Sequence, residues 1–140
     1  MRKILIACHG RMAEGVTTAL NIIIGQKEHI SYINAYVEGT DVAKELENYF
    51  NNLSPEDEAL VFTDLYGGSV NQSIVSYAQR SNVRLVSGFN LAVVLELALL
   101  EPDSELTDED LDDTIAICAK QMKRVKKCVQ TQADTDDFDI

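Results

Sequence analysis

The chain has 140 residues, of which 46% are hydrophobic and 25% charged, with only 7 Gly and 2 Pro. This composition is typical of one folded domain. The net charge of −11 argues against binding to a phosphate backbone, so we expect no nucleic-acid partner. Acidic residues concentrate in segments 101–113 and 134–140. We therefore predict a domain over residues 1–130 and an acidic, disordered tail over residues 131–140.

Neither a secretory signal nor a membrane span is indicated by the sequence. Apolar runs such as Leu91 to Leu95 are far shorter than the roughly 20 residues that a spanning helix needs. Three cysteines, Cys8, Cys118 and Cys128, lack the spacing of a zinc site or of a disulfide framework. We expect a cytoplasmic protein with reduced thiols and no bound metal.

Apolar runs of strand length alternate with amphipathic helical patterns along the chain. The predicted strands and helices follow one another at 3–7, 13–24, 30–37, 42–53, 59–62, 71–78, 83–86 and 91–100. Gly25 should close the first helix, Thr40 or Asp41 should cap the second, and Ser69 is the candidate cap of the third. The alternation predicts an α/β fold: a doubly wound, open, mainly parallel sheet with helices on both faces.

The last two predicted helices are both rich in apolar residues. Segment 91–100 is apolar nearly all around apart from Glu96, which indicates a buried helix at an interface. A final helix is predicted over 108–129, where apolar residues recur at spacings of four and three: Leu111, Ile115, Cys118, Met122, Val125 and Val129. Its basic residues lie in segment 120–127, where the helix dipole favours them.

The residues that follow the predicted strands are the candidates for chemistry. Ligands of open parallel sheets bind beyond the carboxyl ends of the strands. His9 and Arg11 follow the first strand, segment 63–69 follows the third, and segment 87–90 follows the fourth. We expect these three loops to face one crevice.

His9 stands at a strand end rather than in an apolar stripe, which favours a chemical role over a structural one. Asp64 is predicted to accept a hydrogen bond from one ring nitrogen of His9, leaving the lone pair of the other nitrogen exposed. The turn Gly67-Gly68 can offer backbone N–H groups to an anion, and Ser69 adds a hydroxyl. Together these residues predict a histidine that accepts a phosphoryl group.

Several other phosphate chemistries lack the residues that they need. Neither a P-loop pattern nor G-x-G-x-x-G follows the first strand. A C-x5-R phosphatase would need a basic residue where Glu14 stands, and a receiver domain would need acidic residues where Cys8 and His9 stand. We interpret Cys8 as a small packed residue.

Three segments carry a family resemblance: ILIACHGRMAEG at 4–15, VFTDLYGGSVN at 61–71 and SGFNLAVVLE at 87–96. They resemble the enzyme IIA component of the mannose/fructose/sorbose class of the bacterial sugar phosphotransferase system, over residues 1–128. The resemblance implies that His9 accepts a phosphoryl group from the histidine phosphocarrier protein and passes it to a IIB component. Asp64 would then orient His9.

The resemblance has further implications for the site and the assembly. Gly67, Gly68 and Ser69 would lie beside the phosphoryl group, which Arg11 is a candidate to neutralise, and no cofactor is required. The family forms homodimers with an exchanged antiparallel C-terminal strand. The IIB component would be a separate chain, and the membrane components IIC and IID would be contacted only indirectly. Val70 departs from the proline that usually follows Gly-Gly-Ser in the family.

Two other functions stay open on the sequence alone. One is the phosphoryl-transfer subunit of dihydroxyacetone kinase, which is similar in fold but has a shorter Gly-Ser turn than Gly67–Ser69. The other is a non-enzymatic regulatory module in which His9 lies in an anion-sensing pocket. A binding module of that kind would not become phosphorylated.

Overall fold

Strands and helices alternate along the computed structural model, which describes residues 1–127. Its elements, in chain order, are β1 (Arg2–His9), α1 (Met12–Ile24), β2 (Ile30–Ala35), α2 (Val42–Asn51), β3 (Glu58–Thr63), α3 (Ser69–Val75), β4 (Val83–Ser87), α4 (Leu91–Ala98) and α5 (Asp108–Ala119). A short 3₁₀ helix, Tyr77–Gln79, separates α3 from β4.

The four strands form one parallel sheet with the order β2-β1-β3-β4. The chain therefore leaves β1 to one side for β2 and returns to the other side for β3. This arrangement confirms the predicted doubly wound α/β fold. The β1/β3 boundary is the switch point at which ligands of such sheets bind.

The two faces of β1 are covered by different helices, because successive side chains of a strand point to opposite sides. Ile4, Ile6 and Cys8 belong to a buried cluster with residues of α1, α4 and α5. Leu5 and Ala7 belong to a second buried cluster with residues of α2 and α3. Both faces of the sheet are thus packed, and β1 is fixed in the centre of the molecule.

The helix ends follow from local hydrogen bonding. Asp41 caps α2 by accepting from the amide of Lys44, and Gly25 ends α1 with a φ of 80°, as predicted. The prediction for the third helix was wrong, because α3 begins at Ser69 itself and Gly68 is its N-cap. The side chain of Ser69 is consequently available for other contacts.

The last helix is shorter than its apolar pattern indicates. It was expected to reach residue 129, but α5 ends at Ala119. Leu111 and Cys118 pack into the core, whereas Met122 and Val125 are 85% and 67% exposed. A continued helix would bury little of its apolar seam within the described residues, and packing is what stabilises most helices.

Several apolar side chains of helix α4 are buried by contacts within the same chain. Val93, Val94 and Leu97 are buried in the cluster that also contains residues of α5. The helix ends at Ala98, and Leu99 beyond it is 56% exposed. The predicted burial of this helix is confirmed. Part of it comes from contacts with α5 of the same chain rather than from the predicted interface.

Several predictions for the C-terminus fall on residues outside the described range. The strands of residues 1–127 are all parallel, and the exchanged antiparallel strand is not among them. The predicted tail 131–140 and Cys128 lie beyond the last described residue. Within residues 1–127, no helix has the length and apolarity to cross a membrane.

Candidate active site

His9 and Asp64 meet because their strands are paired in the centre of the sheet. β1 and β3 run side by side with Ala7 opposite Thr63. His9 is the last residue of β1, and Asp64 directly follows β3. The amide N–H of His9 donates to Oδ2 of Asp64 at 3.0 Å, so the carboxylate is tied to the backbone of β1 as well as to the ring.

The imidazole of His9 is held in one tautomer by the same carboxylate oxygen. Its Nδ1 lies 2.9 Å from Oδ2 of Asp64. Because a carboxylate only accepts, Nδ1 carries the hydrogen in the neutral ring and Nε2 keeps its lone pair. The side chain of His9 is 38% exposed, whereas that of Asp64 is only 10% exposed. A partly exposed imidazole with a free lone pair thus lies next to a buried carboxylate.

Asp64 remains ionised at neutral pH despite its burial. Desolvation acts to raise the pKa of this carboxyl, but the hydrogen bonds from the amide and ring of His9 outweigh it, so the pKa is lowered. Its other oxygen, Oδ1, is buried and has no hydrogen-bond partner among the described residues. Both hydrogen bonds from His9 therefore end on the same carboxylate oxygen, Oδ2.

The turn after β3 brings a hydroxyl to the free nitrogen of His9. Oγ of Ser69 lies 3.4 Å from Nε2. Gly67 adopts a φ of 71°, a region that favours glycine. A Cβ on Gly68 would lie 3.2 Å from Cβ of Leu65 and 3.7 Å from Cε1 of His9. Gly67 is therefore favoured by its backbone conformation and Gly68 by its close approach to Leu65, and phosphoryl binding by Gly67, Gly68 and Ser69 stays a prediction.

A buried polar cluster fixes α3 against the strand ends. The hydroxyl of Thr63 lies 3.0 Å from Oδ1 of Asn71 and 3.0 Å from Oγ of Ser87, and Ser87 also donates to Asn71. Asn71 belongs to the first turns of α3 and is 7% exposed. These bonds link β3, β4 and α3, which holds Ser69 in place.

The side chains of the loop after β4 make structural contacts, and the place of this loop in a crevice with His9 stays a prediction. Phe89 packs edge-on against Phe62 in the core. Asn90 caps α4 and donates to the carbonyl of Cys118 in α5. The side chains of this loop are thus committed to joining the sheet to the helices.

Arg11 is placed near the site in sequence but points elsewhere. It is 68% exposed, and its Nη1 lies 3.3 Å from Oε1 of Glu14. The same oxygen of Glu14 accepts a hydrogen bond from Asn34 at 2.9 Å. Within residues 1–127 no hydrogen bond joins Arg11 to His9, and its role in neutralising a phosphoryl group stays a prediction.

Cys8 lies directly beside the site and is fully buried. Burial, together with the charge of Asp64, raises the pKa of this thiol to about 12. Cys8 is therefore protonated and unreactive at neutral pH, in agreement with its interpretation as a packed residue. In the part of the chain that the structure describes, no group of three or more potential ligands is arranged to hold a metal ion.

Tyr36 is a site residue that the sequence analysis did not identify. It immediately follows β2, its hydroxyl donates to Oγ of Ser69 at 2.6 Å, and its ring centroid lies 5.4 Å from that of His9. The sequence predicts a strand over residues 30–37, which places Tyr36 inside it, whereas β2 ends at Ala35. Because the predicted strand is two residues too long, the rule for residues beyond strand ends does not select Tyr36.

Most of the chain is similar in sequence to a component of a sugar phosphotransferase system (PTS). The chain is 22% identical over 133 residues to the PTS system mannose-specific EIIAB component of Escherichia coli K12, with 92% of the chain and 40% of that protein aligned. The chain thus spans less than half of the relative's length.

Two solved structures extend the similarity to the whole fold. The phosphotransferase system component EIIA of Streptococcus agalactiae superposes with a TM-score of 0.73 at 26% identity, covering 89% of this chain and 97% of that one. A PTS IIA protein associated with the fucose utilization operon of Streptococcus pneumoniae gives a TM-score of 0.71 at 27% identity, covering 88% and 92%.

A family profile covers the region that contains every element of the candidate site. Residues 3–115 match EIIA-man, described as the PTS system fructose IIA component. That range includes β1 with His9, the turn after β3, and the whole sheet. On this match, together with the parallel sheet shared with PTS IIA structures, the chain belongs to the EIIA-man family.

Proposed function

We propose that this chain is a phosphoryl carrier of a sugar phosphotransferase system and that Nε2 of His9 carries the phosphoryl group. The donor is the phosphohistidine of the histidine phosphocarrier protein, and the acceptor is a IIB component. The observation that supports this proposal most directly is the pairing of His9 with Asp64, which leaves a lone pair on the exposed nitrogen. Membership of the EIIA-man family agrees with it.

The transfer step follows from that geometry. The lone pair on Nε2 of His9 attacks phosphorus, the N–P bond of the donor breaks, and the donor imidazole leaves with that electron pair. The ring of His9 gains positive charge as the new N–P bond forms, and the carboxylate of Asp64, 2.9 Å from Nδ1, stabilises it. Transfer between two imidazoles needs alignment and charge stabilisation above all.

The turn after β3 is suited to hold the group once it has been transferred. Ser69 faces Nε2, and its hydroxyl can donate to a phosphoryl oxygen. Backbone N–H groups of Gly67 and Gly68 are proposed to do the same, with Arg11 as a further source of positive charge. The return transfer to the IIB component reverses the bond changes of the first step.

The surroundings of His9 favour a protein as donor and as acceptor. Large apolar or aromatic side chains next to the site in sequence are exposed: Met12 by 47%, Tyr36 by 67%, Leu65 by 59% and Tyr66 by 90%. Exposed side chains of this kind are typical of protein contact surfaces, in which aromatic residues are enriched. We also propose, on the family resemblance, that the chain acts in the cytoplasm as a homodimer.

Intact-mass spectrometry tests the proposal. After incubation with phosphoenolpyruvate, enzyme I and the phosphocarrier protein at neutral to alkaline pH, we expect a gain of one phosphoryl group, about 80 Da. His9→Ala should show no gain, whereas His29→Ala, which removes the only other histidine, should gain it normally. No gain in the wild type with a competent donor would refute the carrier function and favour an anion-sensing module.

A second step identifies the acceptor. The phosphorylated protein is mixed with a IIB component, and loss of the phosphoryl group from His9 is followed by mass. Transfer to the IIB component supports the proposed position in the relay. Transfer to a dihydroxyacetone kinase subunit but not to the IIB component would contradict it.

A further inference from the structure

Tyr36 occupies a backbone conformation that glycine occupies at the matching place after two other strands. Gly10, Tyr36 and Gly88 are the residues immediately after β1, β2 and β4, and their φ values are 59°, 62° and 70°. A residue with a Cβ is strained in this region, and a bulky aromatic residue is a clear outlier. Such an outlier at a site points to a requirement for its side chain.

The contacts of the Tyr36 side chain lie within the candidate site. The ring is 67% exposed, so burial in the core does not hold it. Its hydroxyl donates to Oγ of Ser69 at 2.6 Å, and its ring is tilted by 30° to the imidazole of His9 at a centroid distance of 5.4 Å. Strain in the backbone is thus accompanied by two contacts with residues of the proposed phosphoryl site.

The hydrogen bond from Tyr36 restricts the direction of the Ser69 hydroxyl. A serine hydroxyl has one hydrogen and two lone pairs. Tyr36 fills one lone pair of Oγ, so the hydrogen of Ser69 points away from Tyr36, and Nε2 of His9 is an unprotonated acceptor at 3.4 Å. The order of donation is therefore Tyr36 to Ser69 to His9.

We propose that Tyr36 is a positioning residue of the phosphoryl-transfer site, whose hydroxyl holds Ser69 so that the Ser69 O–H is directed at Nε2 of His9 and, after transfer, at a phosphoryl oxygen. The inference rests on the proposed function for the second half of this statement. When Nε2 is bonded to phosphorus, its lone pair is consumed, and the Ser69 hydrogen turns to the nearest phosphoryl oxygen. Tyr36 keeps the serine in place in both states.

Nitrogen NMR of histidine-labelled protein tests the first half without any partner protein. The ¹⁵N shift of an unprotonated ring nitrogen reports the hydrogen bond that it accepts, and His29 provides an internal reference. In Tyr36→Phe and in Ser69→Ala, we expect the Nε2 resonance of His9 to move toward the value of an unbonded lone pair. Tyr32→Phe removes a hydroxyl from another exposed tyrosine of the same region, 44% exposed in β2, and should leave the resonance unchanged.

Chemical phosphorylation tests the second half. Phosphoramidate transfers its phosphoryl group to Nε2 of His9, its own P–N bond breaks, and ammonia leaves. Hydrogen bonds to phosphoryl oxygens stabilise the bound dianion more than the loose transition state for its loss. We therefore expect phosphohistidine hydrolysis to be about five- to tenfold faster in Tyr36→Phe, the effect of one hydrogen bond. Tyr32→Phe should keep the wild-type rate.

A double variant shows whether Tyr36 acts through Ser69. If it does, Tyr36→Phe combined with Ser69→Ala should hydrolyse no faster than Ser69→Ala alone. Fully additive effects, or a Tyr36→Phe protein with an unmoved Nε2 resonance and a hydrolysis rate within twofold of wild type, would overturn the inference. Failure of the carrier protein to phosphorylate a chain that passes these tests would overturn the proposed function instead.

Discussion

Replacing Asp64 with asparagine removes one charge from beneath His9 and keeps the shape of the side chain. Asparagine can still accept from the amide and from Nδ1 of His9 through its single carbonyl oxygen. Its NH₂ group would then take the position of Oδ1, which is buried without a partner among the described residues. The variant therefore tests the charge of Asp64 rather than its size.

The expected effect on phosphoryl transfer follows from the bond at Nδ1. That nitrogen lies 2.9 Å from Oδ2, and the bond strengthens as the imidazole gains positive charge during attack. A hydrogen bond to a charged group contributes about 1.5–3 kcal/mol, and the charge dependence of this bond is realised in the transition state. Asp64→Asn should therefore slow phosphorylation of His9 by roughly 10- to 100-fold.

The assay is rapid-quench phosphorylation of the chain by excess phosphorylated carrier protein, followed by intact mass. Asp113→Asn is the matched control, because it removes the same charge from an exposed position in α5. It should transfer at the wild-type rate. A folded Asp64→Asn protein that is phosphorylated within threefold of the wild-type rate would refute the role that we assign to the carboxylate.

Three further predictions concern stability and reactivity. The lowered pKa of Asp64 means that its carboxylate stabilises the fold above the unfolded-state pKa of about 3.9, and that this contribution is lost as pH falls through the folded-state pKa. In urea unfolding, Asp64→Asn should therefore be less stable than wild type by about 1–2 kcal/mol at pH 7, and this difference should narrow as pH falls below about 3.9; a difference that stays constant would contradict the reasoning. Gly67→Ala should lower the free energy of unfolding by about 1–2 kcal/mol, because Gly67 has a φ of 71°. Gly15→Ala should raise the free energy of unfolding by about 0.5–1 kcal/mol, because Gly15 lies inside α1 and a Cβ there meets nothing within 4 Å. Urea unfolding measures both variants, and a change of the same sign in the two would contradict the reasoning. Cys8 is buried and its pKa is about 12, so it should resist iodoacetamide at pH 8 in the folded protein and react in urea. Peptide mapping measures the labelling, and rapid modification of Cys8 under native conditions would contradict its burial.

The sheet and its central pair could be predicted because several independent signals agree there. Apolar runs such as 59–62 mark buried strands, and the rule for open parallel sheets directs attention to the residues that follow them. His9 and Asp64 were selected in that way, and the structure places them in contact. Their proposed chemistry is a separate question, which the assays above address.

The errors arise where tertiary packing overrides a local pattern. The apolar seam that runs past Cys118 has the spacing of a helix, but α5 ends at Ala119 where the described chain offers the seam no partner. Serine is a residue type that often caps helices, but the hydroxyl of Ser69 contacts Tyr36 and His9 instead. Capping statistics describe local preferences and cannot report a contact with a residue 33 positions away.

Tyr36 was missed for a related reason. Nothing in the sequence distinguishes a tyrosine with a left-handed backbone from one in an ordinary extended strand. Its φ of 62° became visible only once β2 was seen to end at Ala35. Positive φ values at non-glycine residues are therefore a useful guide to site residues in a structure.

The parallel pairing of β1 with β3 would make the proposed phosphoryl acceptance at His9 a reporter of strand register during refolding. His9 and Asp64 come together because Ala7 lies opposite Thr63. A slip of one residue would displace Asp64 by about 3.3 Å and exchange the faces of the strand. A misregistered chain with native helix content would be silent toward a phosphoryl donor. Recovery of acceptance after dilution from denaturant would thus time the closing of the central ladder, independently of the spectroscopic return of the helices.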